Sequence, residues 1–307
     1  MDTFIQQIIN GLVLGSIYAL VALGYTMVYG ILGLINFAHG EVVMIGALTA
    51  LTVIKLLADS GLPGTVVVLI GLLAAVPVCM ALGFTIERIA YRPLRNAPRL
   101  APLITAIGVS IVLQQLAMIF WGRNYHAFPP ILPTTGRDIV GAHITDVQIA
   151  IVLLAVAIMA GLMLLVNRTR LGRAMRATAE NPQIAGLMGV NINVIISATF
   201  LIGSALAAVA GVMVSANYSI AHYHMGFILG LKAFTAAVLG GIGNLPGAML
   251  GGVLLGLIES LGAGYIGDLT GGFLGSHYQD VFAFFVLILV LVFRPSGLMG
   301  EKVAERA

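Results

Sequence analysis

Charged and amide side chains lying within apolar runs are where this chain could do chemistry. His39 and Glu41 lie in Ile35-Asn36-Phe37-Ala38-His39-Gly40-Glu41, between two long apolar stretches. A charge at membrane depth costs about 2.5–3.5 kcal/mol on insertion scales, so such residues are rarely idle. Two readings of this run stay open. In one, it lines a substrate pathway or forms a hydrogen-bonded pivot. In the other, it is solvated at the membrane surface and Asn36 caps the helix that follows. Lys232 and Glu259 lie toward the ends of their apolar runs, so snorkelling to the interface is expected of both. Gln114 and Gln115 are adjacent, so only one faces a given neighbour, and an interhelical hydrogen bond is expected. His222 and His224 lack a third ligand nearby and read as loop histidines rather than a metal site. A phosphate-binding Gly-x-x-x-x-Gly-Lys-Ser/Thr loop, a Gly-x-Ser-x-Gly elbow and a His-Glu-x-x-His motif are all missing from the sequence. Neither catalysis nor ATP binding of the usual kind is expected.

The stretch that organises the chain is Gly172 to Asn191. Arg168, Arg170, Arg173 and Arg176 stand at its start, and no lysine or arginine follows until Lys232. Arginine density beside a span marks the cytoplasmic side. The pattern predicts a short cytoplasmic helix between two spans. Ala179, Gln183 and Gly186, and likewise Ala185 and Gly189, recur at three- and four-residue spacing, which would leave one helix face nearly bare. A bare face lets another protein approach closely, so this is a docking element.

Composition sets the class. Of 307 residues, 60% are hydrophobic and 9% charged, whereas a soluble domain carries about 25% charged residues. This is an integral membrane protein with no room for a sizeable soluble domain. The net charge of +3 does not point to nucleic acid, because the basic residues cluster in loops beside spans. The single cysteine, Cys79, excludes disulfides within the chain and a multi-thiolate zinc site. Asp2 and the lack of a basic residue before the first apolar run argue against a cleaved signal peptide.

A span needs about 20 mostly apolar residues. Segments 5–30, 37–57, 62–86, 101–121, 147–166, 193–214, 228–242, 246–264 and 278–294 qualify, the seventh being short. An all-helical bundle with roughly 8–10 membrane segments follows, as one domain over 1–307 with a cytoplasmic loop at 167–192. Basic residues cluster at Arg88, Arg92, Arg95 and Arg99, at Arg168 to Arg176, and at Arg294, Lys302 and Arg306. Nine crossings, with the N-terminus outside and the C-terminus inside, put all three clusters in the cytoplasm. Loops 122–146, 215–227 and 265–277 then face outward, and Pro129, Pro130 and Pro133 disfavour helix in the first.

Two places strain a simple count. Residues 5–57 as one helix would be about 80 Å long, so the chain must turn or break near Asn36. Gly240-Gly241-Ile242-Gly243-Asn244-Leu245-Pro246-Gly247 also interrupts two apolar segments. Each is either a tight cytoplasmic turn or a mid-membrane break lining a pathway. One falls in each half, which is compatible with an inverted repeat. Gly203, Ala207 and Gly211, Gly247 and Gly251, and Gly252 and Gly256 recur every four residues, suited to close helix approach inside the bundle or between subunits.

Three motifs resemble the branched-chain amino acid ABC transporter permeases. They are Thr26 to Glu41, the Gly172–Asn191 stretch with Ala179-Glu180-Asn181-Pro182, and Val238 to Ala248 followed by Gly251-Gly252 and Gly256 to Ser260. Ile-Asn-Phe-Ala-His-Gly-Glu points to the LivH-type subunit. The resemblance implies a multi-pass bacterial inner-membrane permease that carries part of the pathway for leucine, isoleucine or valine. It also implies as partners a second homologous permease, two cytoplasmic ATPases that hold the ATP and magnesium, a periplasmic binding protein and membrane lipid. No cofactor is expected on this chain. Arg173, Arg176, Ala179, Glu180, Asn181, Pro182, Ala185, Gly186 and Gly189 would then couple to an ATPase, although the order here departs from the Glu-Ala-Ala-Gly pattern of many importers. Asn36, Phe37, His39, Gly40, Glu41, Gly240, Gly241, Gly243, Asn244 and Gly247 are the candidates for pathway or pivot. Related permeases carry sugars, nucleosides or urea, and a stand-alone channel or secondary transporter would need no docking stretch.

Overall fold

The computed structural model describes residues 2–98, 100–129, 136–139, 141–271 and 278–300. Each of the nine apolar segments expected from the sequence forms a helix. These are α1 (Asp2–Leu32), α2 (His39–Leu56), α3 (Gly64–Ile86), α4 (Leu100–Trp121), α5 (Asp146–Arg168), α8 (Ile192–Tyr218), α9 (Met225–Gly240), α10 (Leu245–Leu269) and α11 (Gln279–Phe293). Between α5 and α8 stand two short helices, α6 (Arg170–Glu180) and α7 (Pro182–Leu187). Among the described residues, seven helices are long and apolar enough to cross a membrane, and α9 and α11 contribute shorter apolar helices.

Helix α1 is the central post. Every side chain from Ile17 to Leu23 is at most 2% exposed, so this helix is covered on all sides, as an all-round apolar helix must be in a large core. Its largest partner is α10, which runs antiparallel to it. The glycines set the spacing: a Cβ on Gly15 would lie 2.7 Å from the Cα of Val253. The four-residue glycine repeats serve the bundle interior in the same way. Gly252 and Gly256 face α1, Gly247 and Gly251 face α9, Gly203 faces Gly24, and Gly211 faces Val43 of α2. By contrast α3, α4 and α5 turn large apolar side chains outward, with Leu73 63%, Ile104 67% and Leu153 65% exposed. Such surface suits lipid.

The two interruptions differ in kind. Gly33 closes α1 with a left-handed φ of 62°. The chain then turns back, and α2 starts at His39 beside Gly24 of α1 and Gly203 of α8. Gly24 lies about 12 Å before the end of α1, at 1.5 Å per residue. The first interruption is therefore re-entrant: the chain folds back along α1 before α2 begins. The second is a tight turn with positive φ at Gly241 and Gly243. It packs beside Gly30, near the C-terminal end of α1. Asn244 caps α10 by accepting from the Gly247 amide at 2.9 Å. Leu298 and Met299 donate to the carbonyls of Leu239 and Gly240, which straps the segment after α11 onto this turn.

Among the described residues, two small antiparallel pairings stand beside the helices, and composition gave no sign of them. β1 (His126–Ala127) pairs with β4 (Ile220–Ala221), and β2 (Gly136–Ile139) with β3 (Ala142–Thr145). They gather the N-terminal end of α1 and the loops at 122–146 and 215–227 at one end of the bundle. Gln6 exchanges two hydrogen bonds with the backbone of His143 there. Helices α6 and α7, the α9–α10 turn and the basic turn after α3 lie at the other end. Arg99, Pro130, Pro133, Lys302 and Arg306 lie outside the described residues, as do residues 272–277 of the third outward loop.

Candidate functional site

The stretch expected to dock forms two helices rather than one. Thr169 caps α6 by accepting from the Gly172 amide at 3.0 Å. Pro182 pushes the residue before it out of the helical region, and Asn181 stands at φ −153° and ψ 103°. Its side chain accepts from the amides of Gln183 and Ile184, each at 3.0 Å, and so restarts the chain as α7. Gly189, at φ 87°, ends it. The Asn-Pro pair carried this signal in the sequence; the three- and four-residue spacing across it did not register the break.

Ala185, Met175 and Thr178 are buried and hold the two helices to the bundle. Arg173, Arg176, Ala179, Glu180, Pro182, Gly186 and Gly189 are exposed, and Asn181 is half-buried. The bare face is present at Gly186, where an added Cβ would meet only Ile192, 4.0 Å away. Beside it stands an apolar tip that the spacing of small residues did not reveal: Ile184 is 58%, Leu187 88% and Met188 80% exposed. Arg176 donates to the carbonyl of Val166 at the end of α5. A cavity of about 90 Å³ brings Arg176 and Ala179 together with Thr26 and Gly30 of α1 and with Gly243 of the α9–α10 turn. Arg176 and Ala179 thus share one cavity with α1 and the second interruption, and Arg176 bonds the end of α5.

At the re-entrant break, Asn36 does not cap α2, since that position falls to Ala38. The buried Asn36 side chain instead accepts from the Tyr91 hydroxyl at 3.1 Å. The main-chain carbonyl of Asn36 accepts from the His39 amide at 3.0 Å. The Phe37 ring packs on Phe234 at 5.6 Å and His39 meets the edge of Tyr25 at 4.9 Å. Gly40 lies against the backbone of Gly226 and Gly230 on α9. Glu41 is 1% exposed and accepts from Ser110 at 3.0 Å and Gln114 at 2.7 Å, both on α4. Glu41 is a buried hydrogen-bonded group, not a solvated cap, and Gln114 is the member of the glutamine pair that makes the interhelical bond. Thr26 Oγ1, His39 Nε2 and Glu41 Oε2 are buried without a partner among the described residues.

Lys232 and Glu259 do not snorkel. Their side chains are 13% and 2% exposed and pair at 2.6 Å. Tyr18 donates to the second Glu259 oxygen at 2.8 Å, and Asp280 of α11 lies 2.7 Å from the lysine. Adjacency of α1, α9, α10 and α11 creates this set, and no local sequence signal could have announced it. The same holds for Glu87, which pairs with Arg95 and accepts from Ser197 at 2.8 Å. His222 stacks on Tyr125 at 4.2 Å and bonds the Arg123 carbonyl. Among the described residues, no three His, Cys, Asp or Glu gather into a metal site.

Residues 7–291 match the family described as branched-chain amino acid transport system / permease component. The chain is 49% identical to the high-affinity branched-chain amino acid transport system permease protein BraD of Pseudomonas aeruginosa, over 99% of this chain and 98% of that one. It is 45% identical to the corresponding permease LivH of Escherichia coli, over 99% and 97%. Identity to a probable branched-chain amino acid transport permease LivH of Methanocaldococcus jannaschii is 28%, over 96% and 92%. No solved structure matches the chain.

Proposed function

The chain belongs to the branched-chain amino acid transport permease family, and on that premise we propose that it carries leucine, isoleucine and valine across the inner membrane in an ATP-driven, binding-protein-dependent importer. It is a multi-pass membrane transport subunit and not an enzyme. The observation that carries the mechanism is the exposed, twice-capped α6–α7 stretch with Ile184, Leu187 and Met188 at its tip. An exposed apolar tip following an arginine-bearing helix suits the cleft of a cytoplasmic ATPase.

In this reading, ATP and magnesium act on two ATPase partners and this chain binds neither. A second homologous permease completes the membrane core, and a periplasmic protein delivers the substrate. The end bearing α6 and α7 faces the cytoplasm, with the N-terminus outside and the C-terminus inside, because arginine clusters mark that side. A push on α6 reaches α5 through the Arg176–Val166 bond and α8 through Asn191, whose side chain accepts from Val194 at 3.3 Å. It reaches α1 and the α9–α10 turn across the small cavity they share. Tilting α5 and α8 against the post α1 would switch access between the two sides. Substrate biases the switch only as far as it binds the two states differently.

A second reading is import of another small solute. A weaker likeness supports it: 29% identity, over 64% of this chain, to an autoinducer 2 import system permease of Yersinia enterocolitica. The deciding experiment is leucine uptake by the assembled importer in proteoliposomes, with and without enclosed ATP. Uptake that requires ATP and is blocked by isoleucine and valine supports the proposal. ATP-independent uptake by this chain alone would overturn it in favour of a secondary transporter, and uptake indifferent to the three amino acids would favour another solute.

A further inference from the structure

A second cavity, of about 280 Å³, opens between α1, α5, α8 and α10 at the strand-bearing end of the bundle. Its size falls near the lower end of the about 300–1,000 Å³ of small-molecule sites, which suits a compact solute. Four amide side chains line it, Gln7, Asn10, Gln148 and Asn217, together with Glu259. Val13 and Leu14 of α1 and Ala263 of α10 supply an apolar wall.

The amides are only partly used. Gln7 Oε1 accepts from Ser260, Asn10 Oδ1 from Gln6, and Gln148 Oε1 from the Thr145 amide. None of the three side-chain nitrogens donates to another described residue, and the Asn217 side chain makes no hydrogen bond among them. The cavity lining therefore holds amide groups left with donors to offer. Its acid is unevenly matched. Glu259 and Asp280 share one cation, Lys232, so the set carries one formal negative charge beyond its neutral balance. A buried charge is tolerated only when paired and hydrogen-bonded, and the Glu259 carboxylate at the cavity wall retains lone pairs for a further donor.

We propose that this cavity is a transit site for a zwitterionic aliphatic α-amino acid inside the subunit, a deepening that rests on the import reading above. The substrate ammonium sits toward Glu259, its carboxylate among the amides of Asn10, Gln148 and Asn217, and its alkyl chain against Val13, Leu14 and Ala263. Amides hold a carboxylate without a fixed counter-charge. That is the chemistry of a site a solute must leave as readily as it enters.

The test is substrate protection from thiol labelling. Ala263→Cys, in a Cys79→Ala background, is incorporated into the assembled importer and treated from outside with a membrane-impermeant methanethiosulfonate. Labelling should proceed and should slow about tenfold once leucine fills about nine-tenths of the sites, by mass action. Isoamylamine and 4-methylpentanoate, each lacking one charged group, should not protect. Adding Asn217→Leu should abolish protection while the labelled subunit still assembles with its partners. Where Ala263→Cys fails to assemble, Leu14→Cys reads the same wall. An unreactive thiol, a rate indifferent to leucine, or equal protection by either single-charge analogue overturns the proposal. Wild-type ATP-dependent leucine uptake is measured in the same vesicles. Uptake without protection sinks the cavity site alone, and protection without uptake sinks the import reading alone.

Discussion

Glu41 and Glu259 are both almost fully buried, at 1% and 2% exposed, yet they are held in opposite ways. Glu259 is clamped by a lysine and a tyrosine in a set that ties α1, α9, α10 and α11 together. Glu41 meets only neutral donors, Ser110 and Gln114, and its second oxygen has no described partner. The charged set locks four helices. The neutral set holds the start of α2 to α4, whose main contact with the rest of the bundle is that same α2. Shifting the break at Asn36 parts hydrogen bonds to neutral donors, whereas separating the charged set parts opposite charges.

The contrast predicts a graded series of substitutions, read as the unfolding of the detergent-purified importer. Lys232→Met should be the most damaging. It removes the one cation and leaves the buried Glu259 unpaired, and stranding a buried partner costs about 3–5 kcal/mol. Glu259→Leu on that background should recover most of the loss, since Asp280 is 41% exposed, and no recovery would mean that the ion pair is not what holds these helices. Glu41→Leu should cost about 1–3 kcal/mol by leaving Ser110 and Gln114 unsatisfied. Glu41→Gln keeps an acceptor and should stay within about 1 kcal/mol of wild type, as volume-conserving changes do. A Glu41→Gln variant as unstable as Glu41→Leu would show that charge, not hydrogen bonding, matters there. Asn244→Ala should cost about 1 kcal/mol through the lost α10 cap, detectable as a small drop in melting temperature. Asn181→Ala should be the mildest globally, because α7 is exposed. Its effect should appear as weakened ATPase association, and unchanged association would place the contact elsewhere.

The sequence could be read where length and chemistry act locally. About 20 apolar residues fix a span, so nine segments were located, and a helix about 80 Å long is impossible in one bilayer, so the break near Asn36 had to exist. What kind of break it is depends on which helices flank it, and only the packing of Gly24, Gly203 and Gly226 against residues 39–40 shows the re-entry. Lys232 looked like a snorkelling residue because its partner Glu259 is distant in sequence. Ser110 gave no signal alone. Arginines and small residues mark the Gly172–Asn191 stretch in the sequence. Its tip was missed because Leu187 and Met188 look like ordinary apolar residues until their exposure is known.

The most direct measurement is co-purification of an ATPase with this chain from native membranes, comparing wild type with Leu187→Arg and Gly186→Trp. If α6 and α7 couple this permease to ATP hydrolysis, wild type should retain the ATPase, and both variants should lose it along with leucine uptake while keeping the second permease. Retention of the ATPase together with undiminished uptake in both variants would contradict that role and leave the stretch a solvated connector.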